Sequence, residues 1–381
     1  MINNLPQFSQ TIWQRIFEIF LRFADAFYRV SVRLLYHSKI VGVLLVSSLI
    51  IFVTSISFFI SVFNEVQTKD EIIQNSRQGF YAIDVGQGDS LLYVTKENQT
   101  ILTDTGRPGS GIVQKLEKIL GKYRKKIDVV VLTHPDSDHV GEIENILATY
   151  EVGLILYSPI YDVRPDSLKS IENIRSKNHG LTLPVFAGEN LNLSSKEKIY
   201  FLSPAFTGMA TFANKKELEE DNYFSVVSLI KSKDLIFMMA DAPQKIEKVL
   251  ASLATRSTFS NSASASPQRF ETADIFSQLS NLTGEEFQRN QFDKIILKVG
   301  HHGSKTSSAS EFIKQLSPTD AILSYGKNNR YGHPHKEVLD LLMGGFLASS
   351  SPASSMSSVS LSPVPQIKIH RTIFGTVYFG E

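Results

Sequence analysis

Cysteine is absent from all 381 residues. That excludes disulfides and thiolate metal sites, so any metal would have to be held by His, Asp, Glu or water. An excess of charge of either sign is also missing. The formal net charge is +1, which argues neither for nor against a nucleic-acid partner. No internal repeat is visible, which removes a solenoid. Hydrophobic residues are 42% of the chain and charged residues 20%, enough for a sizeable core in one large domain or two small ones.

One run decides the expected location. Residues 40–63 carry no charge and are rich in Val, Ile, Leu and Phe. As a helix, roughly two dozen residues at ~1.5 Å each would cross a ~30 Å hydrocarbon core. Arg15, Arg22, Arg29, Arg33 and Lys39 precede the run, and Glu65, Lys69, Asp70 and Glu71 follow it. This asymmetry predicts a single pass through the cytoplasmic membrane, with the N-terminus in the cytoplasm and the rest outside. A cleaved signal peptide fits less well, because the run is too long and starts too late. Before the span, polar residues from Arg15 to Arg33 recur every three or four positions among Trp13, Phe17, Phe20 and Phe27. That is an amphipathic helix suited to membrane lipid or to a partner helix. The expected plan is a cytoplasmic segment 1–39, a transmembrane helix 40–63, a linker 64–77 and a domain 78–381.

Within that domain, strands are predicted at 79–85, 90–94, 100–104, 127–133, 152–157, 198–202, 225–230, 235–239, 295–299, 321–325, 367–370 and 376–379. Helices are predicted at 112–123, 141–150, 243–253, 310–316 and 336–343. Hairpins mixed with strand–helix crossovers indicate an α/β fold of two sheets with helices outside. Two serine-rich stretches, 251–269 and 347–365, have too little apolar surface to offset the entropy of ordering and are expected to be surface insertions.

The chemistry sits at strand ends. The buried strand 127–133 stops at His134-Pro135-Asp136-Ser137-Asp138-His139. Capping the next helix would need one Asp. Four ligand-type side chains in six residues point instead to a metal centre. His134 and Asp136 alternate, so both can face one ion; Asp138 and His139 are adjacent and can face different ones. Three other apolar segments end in the same way. One stops at Asp241 and another at His301-His302-Gly303-Ser304. Leu102-Thr103 stops at Asp104, which could orient a ligand from behind. Tyr331-Gly332-His333-Pro334-His335 precedes a helix, and His333 could serve a leaving group or grip a phosphate.

These segments resemble the hydrolase domain of the ComEC competence family, which has the metallo-β-lactamase fold. Asp84-Val85-Gly86-Gln87-Gly88-Asp89-Ser90 is similar to that domain's DVGQGDS motif, and Thr133 to Gly141 to its THPDxDHxGG. Ala240-Asp241-Ala242 stands where the family has GDA. Val299 to Ser304 and Tyr331 to His335 resemble its last two motifs. The resemblance runs from about residue 78 to the C-terminus, outside the serine-rich stretches. It implies an αββα four-layer sandwich holding two divalent metal ions, zinc or manganese. His134 and Asp136 would serve one ion. Asp138, His139 and either His301 or His302 would serve the other, with Asp241 bridging. Asp136 replaces the second His of the general HxHxDH hallmark, and no third His for the first ion is evident. Asp138 and His333 are the implied catalytic groups. Asp84, Asp89, Asp104, Ser304 and Lys305 are implied to support the site or meet substrate.

The implied activity is metal-dependent phosphodiester hydrolysis, with single-stranded DNA as the expected substrate and a separate DNA channel protein as an expected partner. The alternatives are a hydrolase of another phosphoester, such as cell-wall choline phosphate, and a non-catalytic anchor or scaffold. The run Lys115, Lys118, Lys122, Arg124, Lys125 and Lys126 would suit a phosphate backbone or, equally, a solvated helix face.

Overall fold

In the computed structural model, residues 77–205, 221–252, 275–344 and 366–380 are described, together with isolated helical positions between Ser47 and Phe58. The chain divides into Met1–Ile72 and Ile73–Glu381, and every described strand lies in the second unit. Among the described residues no helix is long and apolar enough to cross a membrane. The predicted span 40–63 lies outside them except for those isolated positions. The amphipathic segment and nearly all of both serine-rich stretches lie outside them as well.

The described part of the second unit opens with a meander of β1 (Gly79–Ala82), β2 (Leu91–Val94) and β3 (Thr100–Thr103). Helix α1 (Ile112–Leu120) crosses to β4 (Lys126–Leu132); its Ile112, Leu116 and Leu120 recur every fourth residue and are buried. Then come α2 (Ser137–Val140), α3 (Ile143–Thr149), β5 (Glu151–Tyr157), α4 (Pro165–Lys177) and β6 (Leu181–Pro184). The second half repeats the scheme. The antiparallel strands β7 (Asn190–Asn192), β8 (Lys198–Ser203), β9 (Val227–Lys231) and β10 (Leu235–Met238) lead to α5 (Gln244–Ser252) and α6 (Ile275–Thr283). Next are β11 (Ile295–Lys298), α7 (Ser310–Leu316), β12 (Asp320–Leu323), α8 (Lys336–Leu342), β13 (Lys368–Arg371) and β14 (Val377–Gly380).

The strand orders are β14-β1-β2-β3-β4-β5-β6 and β13-β12-β11-β10-β9-β8-β7. In each sheet the antiparallel meander gives way to parallel strands, β3 to β6 in one and β10 to β13 in the other. Phe80, Val131, Phe201, Ile236 and Ile296 pack between the sheets. Separate cores pack on the outer faces, with Leu116, Ile146 and Ile171 on the first sheet and Leu250, Leu279, Phe312 and Val338 on the second. Burial on both faces explains why the central strands read as unbroken apolar runs.

Some expected elements end early or were not foreseen. The helix expected over 112–123 stops at Leu120, because Gly121 turns out with φ 87°. The helix expected over 141–150 starts only at Ile143, as α3, after the separate short turn α2. A Cβ on Gly141 would lie 2.2 Å from Pro108 Cδ, so the loop after β3 packs where a continuous helix would carry side chains. Helix α4 carries few apolar residues, and the edge strands β6 and β7 are short and partly exposed, so these elements gave little periodic signal.

Candidate metal centre

The site lies where the parallel strands of both sheets end, the usual position for function in open α/β folds. Asp104 follows β3, His134 to His139 follow β4, Asp241 follows β10, and His301 and His302 follow β11. Aiming these side chains inward bends the backbone. Asp104, Ala240, His301 and His302 all have left-handed φ, from 47° to 58°, a conformation that is costly for residues with a Cβ and that clusters at functional sites. Ala240 occupies the place of a family glycine, and its φ of 47° shows why glycine suits it.

Asp241 is buried and sits at the middle. Its Oδ1 is 3.3 Å from His139 Nε2 and 3.5 Å from His302 Nε2, and His302 Nε2 is also 3.5 Å from Asp138 Oδ2. Its Oδ2 is 3.9 Å from His134 Nε2 and 3.5 Å from His301 Nε2, and His134 Nε2 lies 3.6 Å from Asp136 Oδ2. The two adjacent histidines therefore part company. His302 joins Asp138 and His139, while His301 stands at the oxygen that His134 faces. The sequence left open which of the pair serves Asp138 and showed no third His beside His134. In the structure His302 lies beside Asp138, and His301 lies at the Asp241 oxygen that His134 faces.

Groups behind the ligands fix their rings. Asp104 Oδ2 accepts from His139 Nδ1 at 2.7 Å and from Thr133 Oγ1 at 2.7 Å, and Thr133 Oγ1 lies 3.0 Å from His134 Nδ1. With the hydroxyl proton given to Asp104, the Thr133 oxygen accepts from His134, which leaves His134 Nε2 as an acceptor facing the centre. Asp89 Oδ1 lies 3.4 Å from His302 Nδ1, and its other oxygen meets Lys298 Nζ in a fully buried ion pair. Ser324 Oγ donates to Asp89 Oδ1. His301 Nδ1 instead meets Thr306 Oγ1, at 3.2 Å.

The loop that carries Asp89 lies tight against the ligand loop. Asp89 N donates to Asp138 O at 3.2 Å, and a Cβ on Gly88 would fall 2.0 Å from that oxygen. The motif's second glycine is needed for this close approach. Asp84 turns the same loop by accepting from Gly86 N at 3.0 Å. Among the described residues Asp84 forms no ion pair with the histidines. Ser304 is a buried strut whose Oγ lies 3.0 Å from Thr306 Oγ1. Lys305 is exposed, and its backbone N–H donates to His335 Nδ1 at 3.3 Å. The His333 ring is 5.5 Å from that of His301 and 6.3 Å from that of His302.

The electrostatics favour cations. Burial alone would raise the Asp138 carboxyl, but the hydrogen bond to His302 and the charges of His139 and His302 hold it down at about 2. Burial opposes charge on His302, yet Asp241, Asp89 and Asp138 push it up to about 9. His139 is raised against its burial by Asp241 and Asp104. His333, outside this ring of carboxylates, is pushed down to about 4 by burial and by its neighbouring imidazoles.

Among the described residues, the five carboxylates Asp89, Asp104, Asp136, Asp138 and Asp241 have one lysine, Lys298, in an ion pair with them. His134 Nε2 and Asp241 Oδ1 are buried and make no hydrogen bond. Atoms of Asp89, His139, Asp241 and His302 all lie within 4.8 Å of one another. Orphaned nitrogen and oxygen donors at this density fit a divalent cation. Asp89 belongs to that group by distance, but it touches the ring nitrogen of His302 that points away from Asp241, so its geometry is that of a supporting group.

Most of the basic run sits elsewhere, although Lys115 Nζ donates to the Asp84 carbonyl in the loop beside the centre. Lys126 begins β4, about 20 Å along the strand from the ligand loop. Lys125 pairs with Glu117 at 3.0 Å, Lys126 with Asp128 at 3.0 Å and Arg124 with Asp128 at 3.4 Å. Local pairing uses these three charges, and Arg124 is itself buried. The residues that sequence reasoning missed are Lys298, one position in an apolar strand, and Thr133 and Thr306, whose hydroxyls meet the rings of His134 and His301.

Residues 83–215 match the Metallo-beta-lactamase superfamily. The chain therefore carries a metallo-β-lactamase domain, in which a His/Asp cluster of the kind just described can hold divalent metal. It is similar to ComE operon protein 3 of Bacillus subtilis (strain 168), with 29% identity over 279 residues, or 68% of this chain and 30% of the relative. Recombination protein 2 of Haemophilus influenzae is 27% identical over 68% of this chain and 26% of the relative. Competence protein ComA of Neisseria gonorrhoeae is 22% identical over 72% and 30%. The chain spans less than a third of the length of each of these relatives.

Proposed function

We propose that this chain is a membrane-anchored, metal-dependent phosphodiesterase that cleaves single-stranded DNA outside the cytoplasmic membrane. The observation that carries the reading is the two-sided arrangement about Asp241, with one pair of histidines at each carboxylate oxygen. His134, Asp136 and His301 would hold one ion, and Asp138, His139 and His302 the other, with Asp241 shared. Divalent ions here would supply a water nucleophile near neutral pH and charge neutralisation at the phosphate. The protein's own part is placement. Asp138 is one-quarter exposed, so it can orient an attacking water. Asp104, Asp89 and Thr133 hold the imidazoles, and His333 stands beside the centre to donate a hydrogen bond to the departing oxygen. The similarity to a protein named for competence supports DNA as substrate, and the charge-free run 40–63 supports the anchor. A separate DNA channel protein would be the natural partner.

The test is a substrate panel on the purified full chain, with metal content measured alongside. With manganese or zinc bound, it is expected to cleave both bis(p-nitrophenyl) phosphate and single-stranded DNA, and Asp138→Ala to lose both. Cleavage of the small diester with the DNA left intact would end the nuclease reading. No cleavage of either substrate by the metal-loaded wild type would favour a scaffold, and an unchanged Asp138→Ala protein would remove Asp138 from the chemistry.

A further inference from the structure

The loop between β12 and α8 reaches from the centre to the surface. Residues 321–336 contain Lys327, Arg330, Lys336 and two histidines but no carboxylate. Asn329 clips the loop: its Nδ2 donates to Gly326 O at 2.9 Å and His333 O at 2.8 Å, and its Oδ1 accepts from His333 N at 2.9 Å. The clip presents Tyr331 at 50% exposure. Its ring lies 5.6 Å from that of His333 at an interplanar angle of 22°. The Arg330 guanidinium is 5.2 Å from the Tyr331 ring centre, and its Nη2 donates to the tyrosine hydroxyl at 3.2 Å.

A lone exposed aromatic needs no explanation. This one stacks on an imidazole whose ring is 5.5 Å from that of His301, and His301 faces Asp241. Two ring-to-ring steps join the surface to the candidate centre. A half-exposed ring with a guanidinium over it, beside a site for phosphodiesters, offers planar groups on which the bases of a single strand can stack without regard to sequence, since every base has a π-face.

We propose that Tyr331, with Arg330 beside it, is a stacking platform for a nucleobase adjoining the scissile phosphodiester, and so selects nucleic-acid chains over small or abasic diesters. This rests on the phosphodiesterase reading. No base identity is read, because no hydrogen-bonding pocket is involved.

The test uses the full chain with manganese, a labelled oligothymidylate and an oligomer of equal length built from abasic residues. Binding is followed by fluorescence anisotropy and cleavage on gels. The wild type is expected to favour the base-bearing oligomer by about tenfold, the weight of one stacked base. Tyr331→Ala brings that ratio towards one, while Tyr331→Phe and Tyr331→Trp keep it. Absence of discrimination by the wild type, or its survival in Tyr331→Ala, overturns the platform. Equal cleavage of both oligomers leaves the phosphodiesterase standing without the platform. Tyr331-dependent discrimination in binding with no cleavage of either oligomer leaves the platform standing without the phosphodiesterase.

Discussion

The two halves of the centre share Asp241 but are built differently. On the Oδ1 side, His139 and His302 are fully buried, and their outer nitrogens face the carboxylates of Asp104 and Asp89. On the Oδ2 side, His134 and His301 are backed by the hydroxyls of Thr133 and Thr306, and the side chains of Asp136 and His301 are 46% and 26% exposed. A carboxylate behind an imidazole raises its basicity as a ligand, and burial keeps water from competing. The difference teaches that one fold can place two similar ligand sets around one aspartate and still make them unequal. The Oδ1 half is expected to hold cations tightly and the Oδ2 half to exchange them.

The largest effect should come from truncating one half at a time. His302→Ala is expected to lose the tightly held ion and reduce phosphodiesterase activity by at least roughly a hundredfold, with no recovery in excess metal. His301→Ala should keep one ion after dialysis and regain much of its activity when manganese is added. Metal content by mass spectrometry and rates across a manganese titration decide the matter. Equal losses in the two variants would break the asymmetry.

A second test separates support of the Oδ1 half from support of the fold. Lys298 and Asp89 are wholly buried and pair with each other. Lys298→Met leaves the Asp89 charge uncompensated and is expected to destabilise the protein by about 3–5 kcal/mol in urea unfolding. Adding Asp89→Asn should restore much of that stability. It should not restore tight metal retention, because His302 Nδ1 then lacks its carboxylate. A single variant as stable as the wild type would show that the pair is not what offsets the burial of Asp89.

Which parts of this were legible in the sequence follows from range. Metal-ligand candidates could be found because each ends a buried apolar strand, a local signal repeated after β4, β10 and β11. The order of strands and helices was largely visible for the same reason. The division of labour was not. His301 and His302 are neighbours, and only the left-handed φ of both residues sends them to different oxygens of Asp241. The partner of Asp89 in Ser324 is 235 residues away, and Lys298 looks like any charge in a strand. Tyr331 was visible only as a letter in a motif, because its exposure and its stacking on His333 belong to the clipped loop.

The smallest effect concerns what both halves share. His301 and His302 lie on one segment after β11, and that segment is held from behind by Glu247 of α5. The buried Glu247 carboxylate accepts from Ser308 N at 3.0 Å and from Ala309 N. Burial pushes its pKa up to about 7, against the pull of those two N–H groups. The ordinary value is 4.5, so between about pH 4.5 and 7 the folded protein keeps a proton that the unfolded chain has released. Native stability must therefore fall as pH rises through that window, by up to about 3 kcal/mol, and the effect is absent below it. Glu247→Gln keeps an acceptor and removes the titration. Metal-free wild type and variant share every other titrating group, so the difference between their urea unfolding curves from pH 4.5 to 8 isolates Glu247. That difference should move in the variant's favour as pH rises. A difference that stays flat would mean that the loop is held by an ordinary carboxylate. Any pH dependence of metal retention would then arise within the two halves themselves.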